Sequence, residues 1–297
     1  MKQLSVLAPA KINLYLNVAG KRPDGYHDIE SVMQTVSLFD RLHITARETS
    51  GAKQISITSH GVPVPTDESN LVCRAAAVFA IAAGITDYDI SFVLEKNIPT
   101  EAGLGGGSAD AAAAIIGLNR LYQTNMSVEK LCEIGVKVGA DVPFCIRKGT
   151  ASAEGIGEIM KPVSPMPACT LLIAMPKGGK VSTGEAYRKI DAIGPQADIP
   201  FDEFLRTMEN GELSEIAAKL YNKFEIVTPT ETGSAALAEK MLALGAIGAR
   251  MSGSGAAVFG IFTSTSDASK AYAALPDDMQ KFVCVPISGS EEDLIVS

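Results

Sequence analysis

Three consecutive glycines stand where a strand pattern gives way to a helix. The segment Pro99-Thr100-Glu101-Ala102-Gly103-Leu104-Gly105-Gly106-Gly107-Ser108-Ala109 follows a strand-like stretch from about Asp89 to Glu95 and runs into an apolar helix ending near Tyr122. Glycine removes the Cβ that keeps a ligand away from the backbone. A helix start adds unpaired N–H groups at the positive end of its dipole. Strand, glycine loop and helix together make an anion site suited to phosphate. A flexible glycine turn is the plainer reading, and Ser108 and Asp110 at the helix start weaken it. Two other phosphate motifs fail by letter. Counting G-x-G-x-x-G from Gly103 and Gly105 puts Ser108 at the third glycine, and the pairs Gly20-Lys21 and Gly179-Lys180 continue with Arg22 and Val181 rather than the Ser or Thr of a Walker loop.

Composition narrows what such a site serves. The chain has 297 residues and a formal charge of -8, so it lacks the general attraction to phosphodiester backbones on which nucleic-acid binders rely. Apolar runs such as Ala75 to Ile85 fall short of the roughly 18 residues of a membrane span. The first residues, MKQLSVLAPAKINLYL, do not read as a signal peptide, and a cytoplasmic protein is expected. Five dispersed cysteines suit reduced, mostly buried thiols, and the three histidines lack metal-ligand spacing, so no protein-built metal cage is expected.

The order of elements predicts an α+β architecture in two domains, each of two layers. Ile12, Leu14 and Leu16 alternate with polar residues as a strand, and Pro23-Asp24-Gly25 marks a turn. Leu71 to Ala83, with Asn70 as N-cap, and Val128 to Val138, capped by Ser127, read as helices. Short strand-like pieces are expected after Phe144, to about Pro162. The prolines between Lys161 and Pro167 suggest a boundary, giving domains 1–162 and 163–297. Beyond it, Ser182 with Glu185 forms a capping box, Glu231 to Leu244 is an amphipathic helix, and Cys169 to Met175, Val258 to Phe262 and Phe282 to Pro286 are strands.

Three further constellations could carry chemistry. Lys11 and Asn13 share one strand face, which would be a solvated face if the segment stood alone. Asp141, in Gly139-Ala140-Asp141-Val142-Pro143-Phe144, is either a helix cap or turn former, or a general base. The run from Arg250 to Gly260 is a glycine-rich turn leading into a strand, and it lacks the setting of a serine-hydrolase elbow.

In order and text these pieces resemble the GHMP kinase superfamily: Pro9-Ala10-Lys11-Ile12-Asn13 at the N-terminus, the loop from Pro99 to Ala109 in the centre and the glycine turn at the C-terminus. Within it, Arg22-Pro23-Asp24-Gly25-Tyr26-His27 followed by Gln34 is similar to the kinases of a cytidine-diphospho sugar-alcohol; homoserine and mevalonate kinases lack that text. The resemblance implies a two-domain GHMP kinase fold, its N-terminal part like domain 2 of ribosomal protein S5, with a left-handed β-α-β unit, and its C-terminal part ferredoxin-like, with the active site in the cleft between them. It implies ATP as co-substrate and Mg²⁺, with Ser108 as the metal's protein contact. In this sequence Ser108-Ala109-Asp110 stands where the family pattern has a Ser-Ser pair. Lys11 and Asp141 match the catalytic pair, and Pro99, Thr100, Glu101, Ala102, Gly103, Leu104, Gly105, Gly106, Gly107, Ser108 and Ala109 match the ATP-phosphate loop. Asn13, Tyr26, His27 and Tyr187 fall on the substrate side. His27 would hydrogen-bond the cytosine and either Tyr26 or Tyr187 would stack on it. Lys96 would reach the nucleotide or be a strand-end surface charge. A monomer or weak homodimer is expected, with no partner beyond small molecules.

Overall fold

The structure, a computed structural model, describes residues 1–47, 49–178, 182–288 and 294–296. The Gly179-Lys180 pair with Val181 lies outside the described residues. Two long strands, β1 (Lys2–Lys21) and β2 (His27–Arg47), run antiparallel along almost their whole length, joined by the Pro23-Asp24-Gly25 turn. Gly25 adopts φ 88° there, and the Asp24 carboxylate accepts the Tyr26 N–H. The outer half of β2 pairs with β4 (Tyr88–Lys96) and its inner half with β5 (Thr150–Glu154), so one strand serves two sets of neighbours. A third strand, β3 (Lys53–Gly61), is parallel to β4 and reaches it through α1 (Leu71–Ala82), whose first turn is capped by Asn70.

Behind this sheet lies α2 (Gly106–Tyr122), buried on nearly every face. Its small residues are a packing requirement: a Cβ on Gly117 would stand 2.2 Å from Ile44 Cδ1. Next come α3 (Val128–Val136), α4 (Val142–Arg147) and β6 (Ile159–Pro162). The prolines after β6 lead to a second, wholly antiparallel sheet in the order β11 (Lys281–Cys284), β7 (Thr170–Ala174), β10 (Val258–Phe262), β9 (Gly248–Met251). Between β7 and β9 lie α5 (Thr183–Ile193), α6 (Phe201–Asn210), α7 (Leu213–Ala218), α8 (Phe224–Val227) and α9 (Ser234–Ala243); α10 (Thr265–Ala274) joins β10 to β11. Two later segments return to the first sheet: β8 (Tyr221–Asn222) lies parallel to Tyr15 and Leu16, and β12 (Ile295–Val296) pairs with Ser5 and Val6.

One apolar cluster joins the halves. Ile12 and Leu14 of β1 pack with Leu104 of the loop and with Leu171 and Phe259 of the second sheet. At about 1.5–3 kcal/mol for each such side chain removed from water, this cluster ties the centre of β1 to both sheets. It also corrects the solvated-face reading of Lys11 and Asn13. Both faces of β1 are covered, and Lys11, Asn13, Tyr15 and Asn17 are all buried.

Two local expectations also change. The strand-like stretch expected after Phe144 begins instead as the end of α4, whose first turn holds Pro143, where its missing N–H is harmless. The helix expected from Glu231 starts instead at Ser234. A 3₁₀ turn, Thr230–Thr232, ends at Gly233, whose φ of 78° breaks the helical path.

Candidate active site

Lys11 projects from the middle of β1, and its Nζ donates to Asn13 Oδ1 at 2.6 Å and lies 3.5 Å from Asp141 Oδ2. The lysine is buried, whereas the Asp141 side chain is 37% exposed. Asp141 stands at the N-cap position of α4, yet its carboxylate makes no capping hydrogen bond. A capping role therefore does not account for it. Asn13 is held at both ends of its amide: its Oδ1 also accepts the Gly253 N–H at 3.1 Å, and its Nδ2 donates to Ser31 Oγ at 2.9 Å.

The loop from Pro99 to Ala109 lies directly against this group. Leu104 O accepts the Lys11 N–H, and a Cβ on Gly105, where φ is 67°, would stand 2.9 Å from Lys11 Cγ. Gly103 has a different task. A Cβ there would stand 2.0 Å from Ser252 O, and Ser252 Oγ donates back to Gly103 O at 2.8 Å. The two glycine-rich segments therefore meet backbone to backbone, the second being the 252–257 turn of the β9–β10 hairpin. Asn222 holds that turn from behind, donating to Met251 O and Gly253 O. At the start of α2 the N–H groups of Gly106, Gly107 and Ser108 come before that of Ala109, the first to find a helical acceptor, Gly105 O. They border a cavity of about 360 Å³ lined by the loop and by residues such as Ser69, Asn70 and Lys96. Ser108 Oγ faces the turn before Asp141, 4.0 Å from where a Cβ on Gly139 would stand.

Sequence reasoning missed the group beneath the loop. Lys96 is neither at the surface nor free: it is buried between Asp40 and Asp110, donating to both, to Asp110 Oδ2 at 2.7 Å. Asp40 Oδ1 in turn accepts the N–H groups of Asn97 and Ile98, so one carboxylate fixes the chain's entry to the loop while Asp110 holds its exit. Burial pushes the Asp110 carboxyl up to about 8, and its Oδ1 has no hydrogen-bond partner among the described residues. For Lys96, burial works against the charge, but the two carboxylates outweigh it and raise its pKa.

A second cluster lies at the β1–β2 turn. His27 stacks on Tyr187 of α5, with ring centroids 4.4 Å apart and planes at 21°, and Tyr187 packs edge-on against Phe224. Burial, and secondarily the charge of Asp141, push the Tyr187 hydroxyl up to about 12. Tyr26 is 62% exposed, and no aromatic ring stacks on it among the described residues. Thus His27 and Tyr187 are brought together, and Tyr26 stands apart from them. His27 Nε2 bonds Asp191 Oδ1 at 2.7 Å, and Lys21 Nζ bonds Asp191 Oδ2 at 3.0 Å. Asp191 belongs to a stretch without any readable motif; its spacing of four from Tyr187, on one face of α5, was the available signal.

The sequence pattern of the GHMP kinases N terminal domain matches residues 70–149, and that of the GHMP kinases C terminal region matches residues 204–281. A 4-diphosphocytidyl-2-C-methyl-D-erythritol kinase of Alkaliphilus metalliredigens (strain QYMF) is 40% identical over 276 residues, covering 93% of each chain. Among solved structures, a 4-(cytidine 5'-diphospho)-2C-methyl-D-erythritol kinase superposes with a TM-score of 0.74 at 32% identity, covering 95% of this chain and 99% of that one. A homoserine kinase from Cytophaga hutchinsonii ATCC 33406 gives a TM-score of 0.70 at 20% identity over 97% of this chain and 95% of that one, a likeness of fold alone. Among the described residues no helix is long and apolar enough to cross a membrane, and no group of three or more His, Cys, Asp or Glu could hold a metal.

Proposed function

The chain belongs to the GHMP kinases, in the branch of the 4-diphosphocytidyl-2-C-methyl-D-erythritol kinases, and from that membership we propose that it transfers the γ-phosphoryl group of ATP to the 2-hydroxyl of 4-diphosphocytidyl-2-C-methyl-D-erythritol. The products are the 2-phosphate and ADP, a step of the non-mevalonate route to isoprenoid precursors. The domains 1–162 and 163–297 close one cleft around both substrates, in the cytoplasm, in a monomer or weak homodimer.

The observation that carries the mechanism is the juxtaposition of Asp141, free of capping bonds, with Lys11, whose stem lies on Gly105. Phosphoryl transfer asks the protein chiefly for alignment and charge stabilisation. The Asp141 carboxylate takes the proton of the acceptor hydroxyl as that oxygen bonds to the γ-phosphorus and the bond to the β–γ bridging oxygen breaks. Lys11, held by Asn13, keeps its charge between Asp141 and the reacting phosphate. The N–H groups at the start of α2 bind the β- and γ-phosphates. Oxygen donors converge here, the Ser108 hydroxyl beside the turn of Asp141, and such a set suits Mg²⁺, which keeps most of its ligands as phosphate and water. When bound, the ion neutralises charge on the phosphates. On the substrate side, the stacked pair of His27 and Tyr187 would meet the cytosine, with Tyr26 exposed beside them.

The test is ADP release coupled to a reporter reaction. ATP and 4-diphosphocytidyl-2-C-methyl-D-erythritol should give one ADP per phosphorylated product, and homoserine or mevalonate should give none. Turnover on either of the latter with none on the cytidine substrate sinks the assignment.

A further inference from the structure

We propose that Asp191 sets the tautomer of His27 and so makes the substrate pocket select a base with an exocyclic amino group, cytosine, over one with a carbonyl in its place, uracil. The inference rests on the kinase reading above and concerns a residue to which the family motifs give no role.

Both the face and the edge of the His27 ring are fixed from one helix. Tyr187 and Asp191 are four residues apart on α5, one stacked under the ring and the other bonded to Nε2 at 2.7 Å. Lys21, the cross-strand partner of His27, occupies the other oxygen of the same carboxylate. These two partners, His27 first, hold the Asp191 carboxyl below the usual carboxylate range, so it is ionised and can only accept. Nε2 must therefore carry the proton, and in the neutral ring Nδ1 is left with a lone pair. Nδ1 makes no hydrogen bond among the described residues. A lone pair there accepts from the 4-amino group of cytosine. Against uracil it would face the lone pairs of a carbonyl oxygen, and one such mismatch in a desolvated pocket is worth roughly 5- to 150-fold in binding.

The tautomer is directly measurable, because the chain has three histidines and its ring-nitrogen spectrum is correspondingly simple. In the full-length ¹⁵N-labelled protein, His27 should show Nε2–H with an unprotonated Nδ1, alone and with CDP bound. A ring protonated at Nδ1, or at both nitrogens, in the CDP complex overturns the proposal whether or not any variant folds. Calorimetry with CDP and UDP supplies the second arm. Wild type should prefer CDP by roughly 5- to 150-fold. Asp191→Asn, whose amide can donate as well as accept, and Asp191→Leu should bring the ratio towards one by weakening CDP. Lys21→Met should keep most of the preference, since it leaves the Asp191–His27 bond in place. A preference that survives loss of Asp191 sinks this inference alone. A wild-type chain that binds neither nucleotide removes the kinase reading with it.

Discussion

The Lys11 ammonium lies between two oxygens of different purpose, 2.6 Å from Asn13 Oδ1 and 3.5 Å from Asp141 Oδ2. The shorter contact fixes the lysine, and the longer one leaves the carboxylate open to a hydroxyl group. Asp141→Asn keeps the shape and removes the proton acceptor. It should lower kcat by roughly two to four orders of magnitude, as for loss of a general base, while ATP affinity measured by calorimetry stays close to wild type. Near wild-type turnover in this variant refutes the role of Asp141.

Asn13 should matter through Lys11 and through the hairpin turn at once. Asn13→Leu removes the acceptor for both Lys11 Nζ and the buried Gly253 N–H. Leaving such a donor unpaired costs about 1–3 kcal/mol, visible as a lower urea midpoint. With the lysine released, kcat should also fall by about one order of magnitude or more, because alignment is much of what the site supplies. If stability falls and kcat does not, Asn13 is structural only.

Much of the site was legible because its motifs are local. The glycine loop, the Lys11–Asn13 spacing and the Asp24-Gly25 turn each announce their chemistry within a few residues. The buried Asp40–Lys96–Asp110 group was not legible, since its members are distributed over two strands and a helix and only the fold makes them neighbours. The same holds for Asp191, which gains meaning from the ring it faces across 164 residues of chain. The helix at 142–147 was missed because a six-residue segment, apolar up to Ile146 and with proline in its first turn, has no readable period. Burial of the Lys11 face was missed for a related reason. Two-residue periodicity shows that a strand has two faces, and it does not show that a second sheet and helices cover the polar one.

The two outer glycines of the triple-glycine run should behave differently. Gly105→Ala meets both a positive φ and the Lys11 stem, so it should weaken ATP binding and lower kcat together. At Gly107 a new Cβ meets only Leu71 Cδ1 at 3.4 Å, and φ is not positive. Gly107→Ala should therefore leave the loop's own backbone unstrained and act only through a Cβ at the edge of the phosphate cavity, so it should weaken ATP binding less than Gly105→Ala does. Equal effects at the two positions, read by nucleotide titration, would mean that the loop works through bulk flexibility and not through this geometry.

The carboxyl of Asp110 supplies a pH dependence of stability that differs in sign from that of an ordinary paired acid. Its pKa is raised by burial to about 8 from a model-peptide value of 3.8. Between those values the folded state holds a proton that the unfolded state has released, so ∂ΔG/∂pH is negative. The stabilisation from this group is fully present below pH 3.8 and is lost progressively as pH rises towards 8. Lys96 restrains the loss, since it can neutralise one of its two carboxylates but not both. Asp110→Asn keeps a neutral side chain of the same shape at every pH, and Asp40 remains to pair with Lys96. Urea unfolding of wild type and variant at matched ionic strength should show their stability difference moving in the variant's favour from pH 5 to pH 8. A difference that stays constant over that range means that Asp110 is ionised throughout and that Lys96 carries both charges.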